Sequence, residues 1–370
     1  MKSFNVTLKK VVDDSYDIDI GYGLEDRLIN DLKNGLCCGY KRAAVISDSI
    51  VAPLYAEGIC EKLSENGFSQ KLFVFPEGEK SKTRRTKEQL EDDMLSSGYR
   101  RDCFVIAVGG GVVTDISGFL AGTYGRGVPF VNYATTLLAA ADASIGGKTA
   151  VDTPLATNLI GMFNQPKKVY IDLETWKTLP RRQISSGLCE TVKHAMMADK
   201  EFFEYLESNV EDVFEFDRTV CEHIAEKNCD IKYSVVMKDE REASLREILN
   251  LGHTVGRAIE VVSDYRLLHG EAVAIGLAAE CILSESMGLM TGDEVKRSIS
   301  LLNKCGLSTN IPDYIDRDIL VEKLYTDKKV RDGKLRFIVQ DGIGKVKQFG
   351  DSWAVGVKKS DIQKIIYDMK

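Results

Sequence analysis

The sequence predicts an α/β N-terminal domain followed by a mainly α-helical C-terminal domain. Its 370 residues exceed one ordinary hydrophobic core, so two domains of about 150 to 200 residues are expected. Short apolar, β-rich runs alternate with helix-patterned stretches in the first half, which is typical of a parallel sheet in an α/β domain. These runs are residues 43–46, 71–75, 103–108, 130–133 and 169–171.

The second half has a different pattern. Long amphipathic stretches predominate after Leu179-Pro180, and few strand signals appear before residues 335–339. The stretches are residues 201–216, 220–236 and 253–262. Because no repeat or low-complexity linker separates the halves, we predict domains of residues 1–178 and 179–370, joined by a packed hinge with a ligand-binding cleft between them.

Composition narrows the possible functions. Hydrophobic residues make up 44% and charged residues 28%, which is typical of a globular protein. The net charge of −7 argues against nucleic-acid binding. Nine cysteines without C-x-x-C spacing fit a reducing compartment. The N-terminus lacks the apolar core of a signal peptide, and no run approaches the ~18 apolar residues of a membrane-spanning helix, so a cytoplasmic protein is expected.

A glycine turn follows the predicted strand at 103–108. Three glycines at 109–111 precede Thr114 and Asp115, and this pattern predicts a tight turn between the strand and the start of a helix. Such a turn lets the backbone approach a pyrophosphate at a helix N-terminus. Since Thr114 breaks the strict G-x-G-x-x-G pattern, a close-packed turn without a nucleotide stays an open alternative.

A second glycine pair, Gly146 and Gly147, precedes Lys148 and Thr149. The preceding residues do not complete a Walker A motif, because Asp142 stands where its first glycine is required. Lys148 could still bring a positive charge to an anion, with a solvated loop lysine as the alternative.

Two of the four histidines have unusual settings. His253 and His269 are each expected near a helix N-terminus, and capping or core roles are the alternative to metal ligation. Glu190 lies on a mostly apolar helix face, where burial without a partner would be costly. Two imidazoles and one carboxylate would leave positions open for water or substrate, as catalytic zinc sites require. His194, four residues after Glu190, is a competing ligand.

Four longer motifs together resemble 3-dehydroquinate synthase, and they are residues 109–115, 142–149, 249–254 and 269–276. Shorter matches occur at 76–82, 164–166, 177–180, 239–242 and 326–329. The resemblance spans most of the chain in unbroken order. It implies an NAD-binding α/β domain and a helical metal- and substrate-binding domain, forming a homodimer that acts on a seven-carbon keto-sugar phosphate.

The resemblance also implies a set of site residues. The metal ligands would be the same trio, Glu190, His253 and His269. NAD would contact Asp48, Glu79, Lys82, Gly110, Gly111, Asp115, Thr135, Leu138, Lys148, Asn158 and Thr178. The substrate would contact Asp142, Lys148, Asn158, Lys193, Lys232, Arg246, Asn250 and Lys328 or Lys329, with Arg126 entering from the partner subunit.

The implied reaction converts 3-deoxy-D-arabino-heptulosonate 7-phosphate into 3-dehydroquinate and phosphate. It would proceed by transient reduction of NAD, phosphate elimination, hydride return and aldol cyclisation, with zinc or cobalt as the divalent ion. Such a lyase would belong to the shikimate pathway, which supplies chorismate and the aromatic amino acids.

Four positions depart from the pattern of the resemblance. Arg257 replaces a histidine four residues after His253 and cannot exchange a proton at neutral pH. Thr157 replaces a lysine, Gln183 an acid and Ala134 a proline. These departures leave open a related cyclase of the amino-dehydroquinate, valiolone or inosose type. Further alternatives are a glycerol-dehydrogenase-like oxidoreductase and a catalytically silent protein.

Overall fold

The structure is a computed structural model that describes residues 11–369 except 327–329 and 332–333, together with residues 3, 5, 7 and 8. Eight strands lie in its first half: β1 (Asp17–Gly21), β2 (Arg42–Asp48), β3 (Ser69–Phe75), β4 (Cys103–Gly109), β5 (Phe130–Ala134), β6 (Lys148–Thr153), β7 (Ala156–Phe163) and β8 (Lys168–Asp172). Six form a parallel sheet in the order β1-β8-β5-β4-β2-β3. The other two, β6 and β7, pair as an antiparallel hairpin.

Helices cover both faces of the sheet. They are α1 (Glu25–Lys33), α2 (Glu57–Glu65), α3 (Arg84–Ser96) and α4 (Gly111–Thr123). The buried strand β2 shows why both faces are covered, because its side chains alternate between them. Val45 packs in one apolar cluster with α1 and α2, and its neighbour Ile46 packs in another with α3 and α4. The first half is therefore a three-layer α/β unit.

Short helical turns connect these elements. Two are π-helical turns, Ala52–Ala56 and Ala139–Ala143. Three are 3₁₀ turns, Glu79–Ser81, Tyr124–Arg126 and Leu173–Thr178. The turns at residues 52–56, 139–143 and 173–178 follow the carboxyl ends of β2, β5 and β8, so they surround one edge of the sheet.

The second half is mainly helical. Its helices are α5 (Arg181–Ala198), α6 (Lys200–Asn209), α7 (Arg218–Lys238), α8 (His253–Val262), α9 (His269–Ser286), α10 (Gly292–Lys304), α11 (Arg317–Thr326) and α12 (Lys359–Asp368). Two 3₁₀ turns, Val210–Glu215 and Leu245–Asn250, join some of them. A small sheet holds β9 (Val330–Arg331), β10 (Lys334–Ile338) and β11 (Ala354–Val357). The predicted fold class is confirmed, and each of the five predicted strands of the first half is present.

Two differences from the predicted elements have clear physical causes. Strand β1 was not predicted, because Asp17 and Asp19 make it look polar; as an edge strand it needs only Ile18 and Ile20 to pack inward. The stretch 201–216 is not one helix, since α6 ends at Asn209 and a tighter 3₁₀ turn follows. That turn buries two valines three residues apart, as its periodicity requires.

Helices α8 and α9 cross at very short range, which sets the geometry of the second half. A β-carbon at Gly276 of α9 would lie 1.9 Å from the carbonyl oxygen of Gly252, just before α8. A β-carbon at Gly256 would lie 2.9 Å from the Cα of Val273. Glycine at these positions lets the two helix backbones touch.

Among the described residues, no helix has the length and apolar character needed to cross a membrane.

Candidate active site

The predicted nucleotide turn lies where the order of the strands reverses. The chain runs outward from β2 to β3, then returns to the other side of β2 at β4. The crevice outside the carboxyl ends of strands at such a point is the usual ligand site of an open α/β sheet. Gly110 precedes α4, and a β-carbon there would lie 3.1 Å from Thr136, while one at Gly111 would lie 3.2 Å from Ala143. The first N–H groups of α4 therefore face this crevice at close backbone range.

A buried lysine ties four of the predicted NAD residues together. Lys82 Nζ lies 2.5 Å from Asp115 Oδ2, donates to Asn158 Oδ1 at 2.7 Å and lies 3.6 Å from Glu79 Oε1. Burial disfavours the ammonium charge, but Asp115 and Glu79 raise the pKa of Lys82 above its usual value. Asn158 adopts a left-handed backbone (φ 53°), and its N–H donates to Asp152 Oδ1 at 2.7 Å. The hairpin β6–β7 is thus fixed against the glycine turn.

Apart from Lys148, which begins β6, the remaining predicted NAD residues follow strand ends at the same edge. Asp48 ends β2, and its Oδ1 accepts hydrogen bonds from the N–H groups of Ile50 and Val51, both at 2.9 Å. Thr135 follows β5, and its buried hydroxyl oxygen has no hydrogen-bond partner within the described part of the chain. Leu138 approaches Gly111, and Thr178 shares a 2.5 Å hydrogen bond with the hydroxyl of Tyr55. These residues therefore lie along one edge of the sheet, although the sequence places them far apart.

The predicted metal trio converges between three helices. Glu190 lies in the middle of α5, while His253 and His269 are the first residues of α8 and α9. Glu190 Oε1 lies 3.8 Å from His253 Nε2 and 3.5 Å from His269 Nε2. One ligand atom from each of the three lies within 4.8 Å of the others. The expected helix-start positions of both histidines are confirmed.

The charges around the trio favour a bound cation. Glu190 is fully buried, and no described group donates a well-aligned hydrogen bond to either of its carboxylate oxygens. Burial disfavours its charge, but Lys193, His269 and His253 hold the pKa of Glu190 well below its usual value. Burial also works against a charged His269, yet Glu260 and Glu190 raise its pKa to about 10. A divalent ion would satisfy both the ionised carboxylate and this preference for positive charge.

The outer nitrogen of each histidine is held by an acceptor. His253 Nδ1 lies 3.0 Å from the carbonyl oxygen of Leu251, and His269 Nδ1 lies 3.1 Å from Glu260 Oε1. Such partners fix the tautomer that presents Nε2 to a metal. Glu260 was missed by the sequence analysis, although it lies two helical turns after His253 on α8 and therefore on the same face.

We expect Glu260→Gln to weaken metal binding by roughly 10- to 100-fold, because the amide removes the carboxylate that orients His269. Competition with a chelator, followed by metal analysis, measures this. The matched control is Glu285→Gln, which changes an exposed acid on α9. Equal metal affinity in both variants would show that Glu260 does not position His269.

The structure also keeps His194 close to the trio. One ligand atom each from Asp142, Glu190 and His194 also fall within 4.8 Å of one another. His194 Nδ1 is paired with Asn228 Oδ1 at 2.9 Å, and its buried Nε2 has no hydrogen-bond partner among the described residues. Burial and Lys193 lower the pKa of His194 to about 4, so its ring is neutral. It remains a competing ligand on geometry alone.

A group of buried cations lies beside the trio. Lys193 forms an ion pair with Glu190, and Lys232 forms one with Asp142. Burial disfavours an ionised Asp142, but Lys232 and Lys193 hold its pKa well below the usual value. Arg246 is fully buried, donates to the carbonyl oxygen of Gly146 at 2.8 Å and leaves its Nε without a partner among the described residues. Three buried cations therefore lie beside the trio, two of them held by ion pairs.

Nearer the solvent, an acid links two predicted substrate residues. Lys148, at the start of β6, forms an ion pair with Glu242, and Asn250 Nδ2 donates to the other oxygen of Glu242 at 2.8 Å. Arg257 Nη2 approaches Asn250 Oδ1 at 3.4 Å. Glu242 was not among the predicted site residues, although it ends the matched stretch 239–242. That stretch gives no local indication that Glu242 faces Lys148.

Three predicted substrate residues are not brought to this pocket by the described chain. Lys328 and Lys329 lie outside the described residues. Arg126 is exposed in the 3₁₀ turn after α4, at the opposite end of that helix from Gly111. A helix of 13 residues separates the two by about 20 Å at 1.5 Å per residue. Arg126 is therefore far from the glycine turn of its own subunit.

The other departures lie outside the metal trio. Thr157 is in β7, next to Asn158, while Gln183 is exposed in the first turn of α5. Ala134 is fully buried at the end of β5.

We expect Lys82→Met to weaken NAD binding by about 10- to 100-fold, because losing one charged hydrogen-bond donor costs roughly 1.5 to 3 kcal/mol. Fluorescence titration with NAD measures the change. Lys80→Met is the control, since that exposed lysine lies two residues away and pairs with Asp264. If both variants bind NAD as the unaltered protein does, the crevice around Lys82 is not the nucleotide site.

Two family descriptions match adjoining parts of the chain. "3-dehydroquinate synthase N-terminal" matches residues 72–186, and "3-dehydroquinate synthase C-terminal" matches residues 187–330. The 3-dehydroquinate synthase of Pelobacter propionicus is 45% identical over 334 residues, covering 90% of this chain and 92% of that protein. The 3-dehydroquinate synthase of Thermoanaerobacter pseudethanolicus is 41% identical over 353 residues, covering 95% and 97%.

Solved structures show the same architecture. A 2-deoxy-scyllo-inosose synthase complexed with carbaglucose-6-phosphate, NAD⁺ and Co²⁺ matches with a TM-score of 0.87 at 27% identity, covering 95% of this chain and 96% of its own. The 2-epi-5-epi-valiolone synthase of Streptomyces hygroscopicus, with NAD⁺ and Zn²⁺ bound, also has a TM-score of 0.87 at 27% identity, with 98% of both chains covered. A probable glycerol dehydrogenase from Sinorhizobium meliloti shares the fold alone, with a TM-score of 0.60 at 16% identity over 95% of each chain. From the two family matches and the identity to the bacterial relatives, the chain belongs to the 3-dehydroquinate synthase family.

Proposed function

We propose that this protein is a 3-dehydroquinate synthase that converts 3-deoxy-D-arabino-heptulosonate 7-phosphate into 3-dehydroquinate and phosphate. The observation that carries the proposal is the convergence of Glu190, His253 and His269 beside buried cations, next to the nucleotide crevice. The route would be transient reduction of NAD, phosphate elimination, hydride return and aldol cyclisation. The identity of 40 to 45% to curated synthases supports it.

The cofactors would be NAD in the crevice and one divalent ion, zinc or cobalt, held by the trio. The two related cyclases with bound NAD⁺ and Co²⁺ or Zn²⁺ support this assignment. When bound, such an ion lowers the pKa of a coordinated hydroxyl, and NAD accepts a hydride and later returns it. The structure supports a divalent ion at the trio because Glu190 is buried and ionised and both imidazoles are oriented by acceptors.

The protein's own residues would bind and orient a flexible intermediate. Arg246 Nε is a buried donor with no partner among the described residues, so it suits a carboxylate oxygen. Lys193 and Lys232 are fixed by ion pairs before substrate arrives, which lowers the cost of ordering them. His194 Nε2 is neutral and unpaired among the described residues, so it can accept a hydrogen bond from a substrate hydroxyl.

We further propose the assembly and setting that the sequence suggested. The domain boundary is placed at residues 178 and 179, where the 3₁₀ turn Leu173–Thr178 ends before α5. A homodimer would bring Arg126 of one subunit to the substrate pocket of the other, since Arg126 lies far from its own glycine turn. A cytoplasmic setting agrees with nine cysteines that lack C-x-x-C spacing. The proposed reaction would place the protein in the shikimate pathway.

The test is a product assay with the purified protein, NAD and zinc. Heptulosonate phosphate is compared with glucose 6-phosphate and with a seven-carbon ketose phosphate that lacks a carboxylate, and product and phosphate are both measured. The proposal predicts dehydroquinate from the first substrate, and a turnover at least about 100-fold lower without the carboxylate, because Arg246 would lose its charged partner. No carbocycle from heptulosonate phosphate would refute it.

A related sugar-phosphate cyclase is the second candidate. Arg257 favours it, because the resemblance places a histidine there, and so does the similarity to inosose and valiolone synthases. The same assay separates the inosose and valiolone types, since they predict turnover of one of the substrates without a carboxylate. Glycerol as a substrate, with net NADH as product, tests the dehydrogenase alternative.

A further inference from the structure

A carboxylate of the protein occupies an anion-binding position at the solvent side of the substrate pocket. Glu242 reaches it from a left-handed backbone (φ 57°), which is uncommon for a residue other than glycine. Its two oxygens contact Lys148 Nζ and Asn250 Nδ2. A cation and an amide that both point at one carboxylate can receive the oxygens of another anion in its place.

Arg257 lies beside Asn250, one of the two residues that contact the Glu242 carboxylate. It is one helical turn after His253, and its Nη2 lies 3.4 Å from Asn250 Oδ1. The side chain is half-buried, so its guanidinium is held near the pocket and does not extend into solvent. Burial raises the pKa of Glu260, but His269 and, less strongly, the charge of Arg257 lower it, so the guanidinium also lies near the metal ligands.

The donors of Arg257 are largely unused. In the part of the chain that the structure describes, Arg257 forms no ion pair, and its one hydrogen bond is the long contact with Asn250. By contrast, Arg182 and Arg297 each bind a glutamate through two nitrogens. A half-buried guanidinium with five donors and one weak contact indicates an external anion.

We propose that Arg257 is a substrate-binding residue that donates hydrogen bonds to the phosphate group of the sugar phosphate, together with Lys148 and Asn250. The role of Arg257 rests on the proposed function in one respect, since the substrate must be a phosphate ester. The phosphate would take the place of the Glu242 carboxylate, and the same position would hold the free phosphate after its release.

Phosphate suits this position better than a carboxylate does. The side chain of Lys148 is 43% exposed, whereas Lys232 and Arg246 are almost fully buried. A group that must leave as a dianion requires access to solvent, and several separate donors match its tetrahedral oxygens. The planar substrate carboxylate fits the enclosed Arg246 instead.

Direct binding of inorganic phosphate tests the proposal without turnover. The metal- and NAD-loaded protein is titrated with phosphate by calorimetry, for the unaltered chain, Arg257→Ala, Arg257→Lys and the control Arg297→Ala. Arg297 is a half-buried helical arginine that pairs with Glu207. We expect Arg257→Ala to raise the Kd of phosphate and the KM of the sugar phosphate by about 10- to 100-fold, because the phosphate loses one charged hydrogen-bonding partner.

Bound metal, NAD affinity and thermal unfolding should stay near those of the control, since Arg257 contacts none of the trio directly. Arg257→Lys retains the charge and loses the fork of donors, so an intermediate rise of about three- to ten-fold is expected. If Arg257→Ala does not fold, this lysine variant decides. A phosphate Kd within about two-fold of the unaltered protein in a folded variant, or a fall in kcat alone, would overturn the proposal. Absence of dehydroquinate from the unaltered protein would instead refute the proposed function and leave the phosphate result interpretable.

Discussion

Glu190→Gln is expected to abolish metal retention and to lower kcat/KM by about a thousand-fold or more. Losing a residue that only orients a metal ligand costs roughly 10- to 100-fold in metal affinity or activity, and losing a ligand itself should cost more. The amide has the same shape but no charge, and it leaves the buried Lys193 without its partner. An unpaired buried charge destabilises by about 3 to 5 kcal/mol, so the variant should also unfold at lower denaturant concentration. Metal analysis after gel filtration, steady-state kinetics and denaturant titration measure these changes.

Glu222→Gln is the control, since it changes an exposed acid on α7. Retention of one equivalent of metal by Glu190→Gln would contradict the assigned centre. Both candidate clusters contain Glu190, so a second pair of variants separates them. His269→Gln should lose the metal and His194→Gln should keep it. The reverse result would assign the ion to Asp142, Glu190 and His194.

Gly276→Ala is expected to lower the free energy of unfolding by about 2 kcal/mol or more, the usual cost of forcing an extra methyl group into a packed interior. The new β-carbon would lie 1.9 Å from the carbonyl oxygen of Gly252 and 2.9 Å from Gly256 N, so α8 must move. Because α8 begins with His253, metal affinity should fall as well. Denaturant titration and chelator competition measure the two effects.

Gly58→Ala is the matched control. Gly58 lies in α2, and nothing lies within 4 Å of the position of its β-carbon. Alanine is the better helix former by about 0.5 to 1 kcal/mol, so this change should be neutral or stabilising. Equal stability of the two variants would show that the crossing of α8 and α9 is not as tight as the structure has it.

Much of the fold could be predicted because its parallel strands are buried on both faces. Runs such as residues 43–46 and 103–108 are continuously apolar, and that signal is local. Strand β1 and the hairpin β6–β7 gave weaker signals. Asp19 of β1 makes its ion pairs with Arg27 and Lys168, which only the folded sheet brings close. Lys148 begins β6, although its glycine neighbours suggested a loop.

The candidate site was predictable to the extent that it depends on unusual residues in distinctive local settings. Few histidines are present, so His253 and His269 stood out together with an acid on an apolar helix face. Glu260 has an ordinary sequence context, and the matched stretch 239–242 does not indicate what Glu242 contacts. Their contacts with His269 and Lys148 arise only from the packing of separate elements. The order in which residues border the nucleotide crevice likewise follows from the sheet order, which local patterns do not specify.

A cyclase that returns the hydride it takes releases phosphate without net NADH, so the ratio of NADH to phosphate is the decisive measurement. The zinc-loaded protein is mixed with heptulosonate phosphate and an amount of NAD far below that of the substrate, while NADH absorbance and released phosphate are followed together. We expect phosphate and dehydroquinate to form in equal amounts, many times the NAD present, with no net NADH. One NADH for each substrate consumed, or no phosphate from protein with its full metal content, would show that the protein is not such a cyclase.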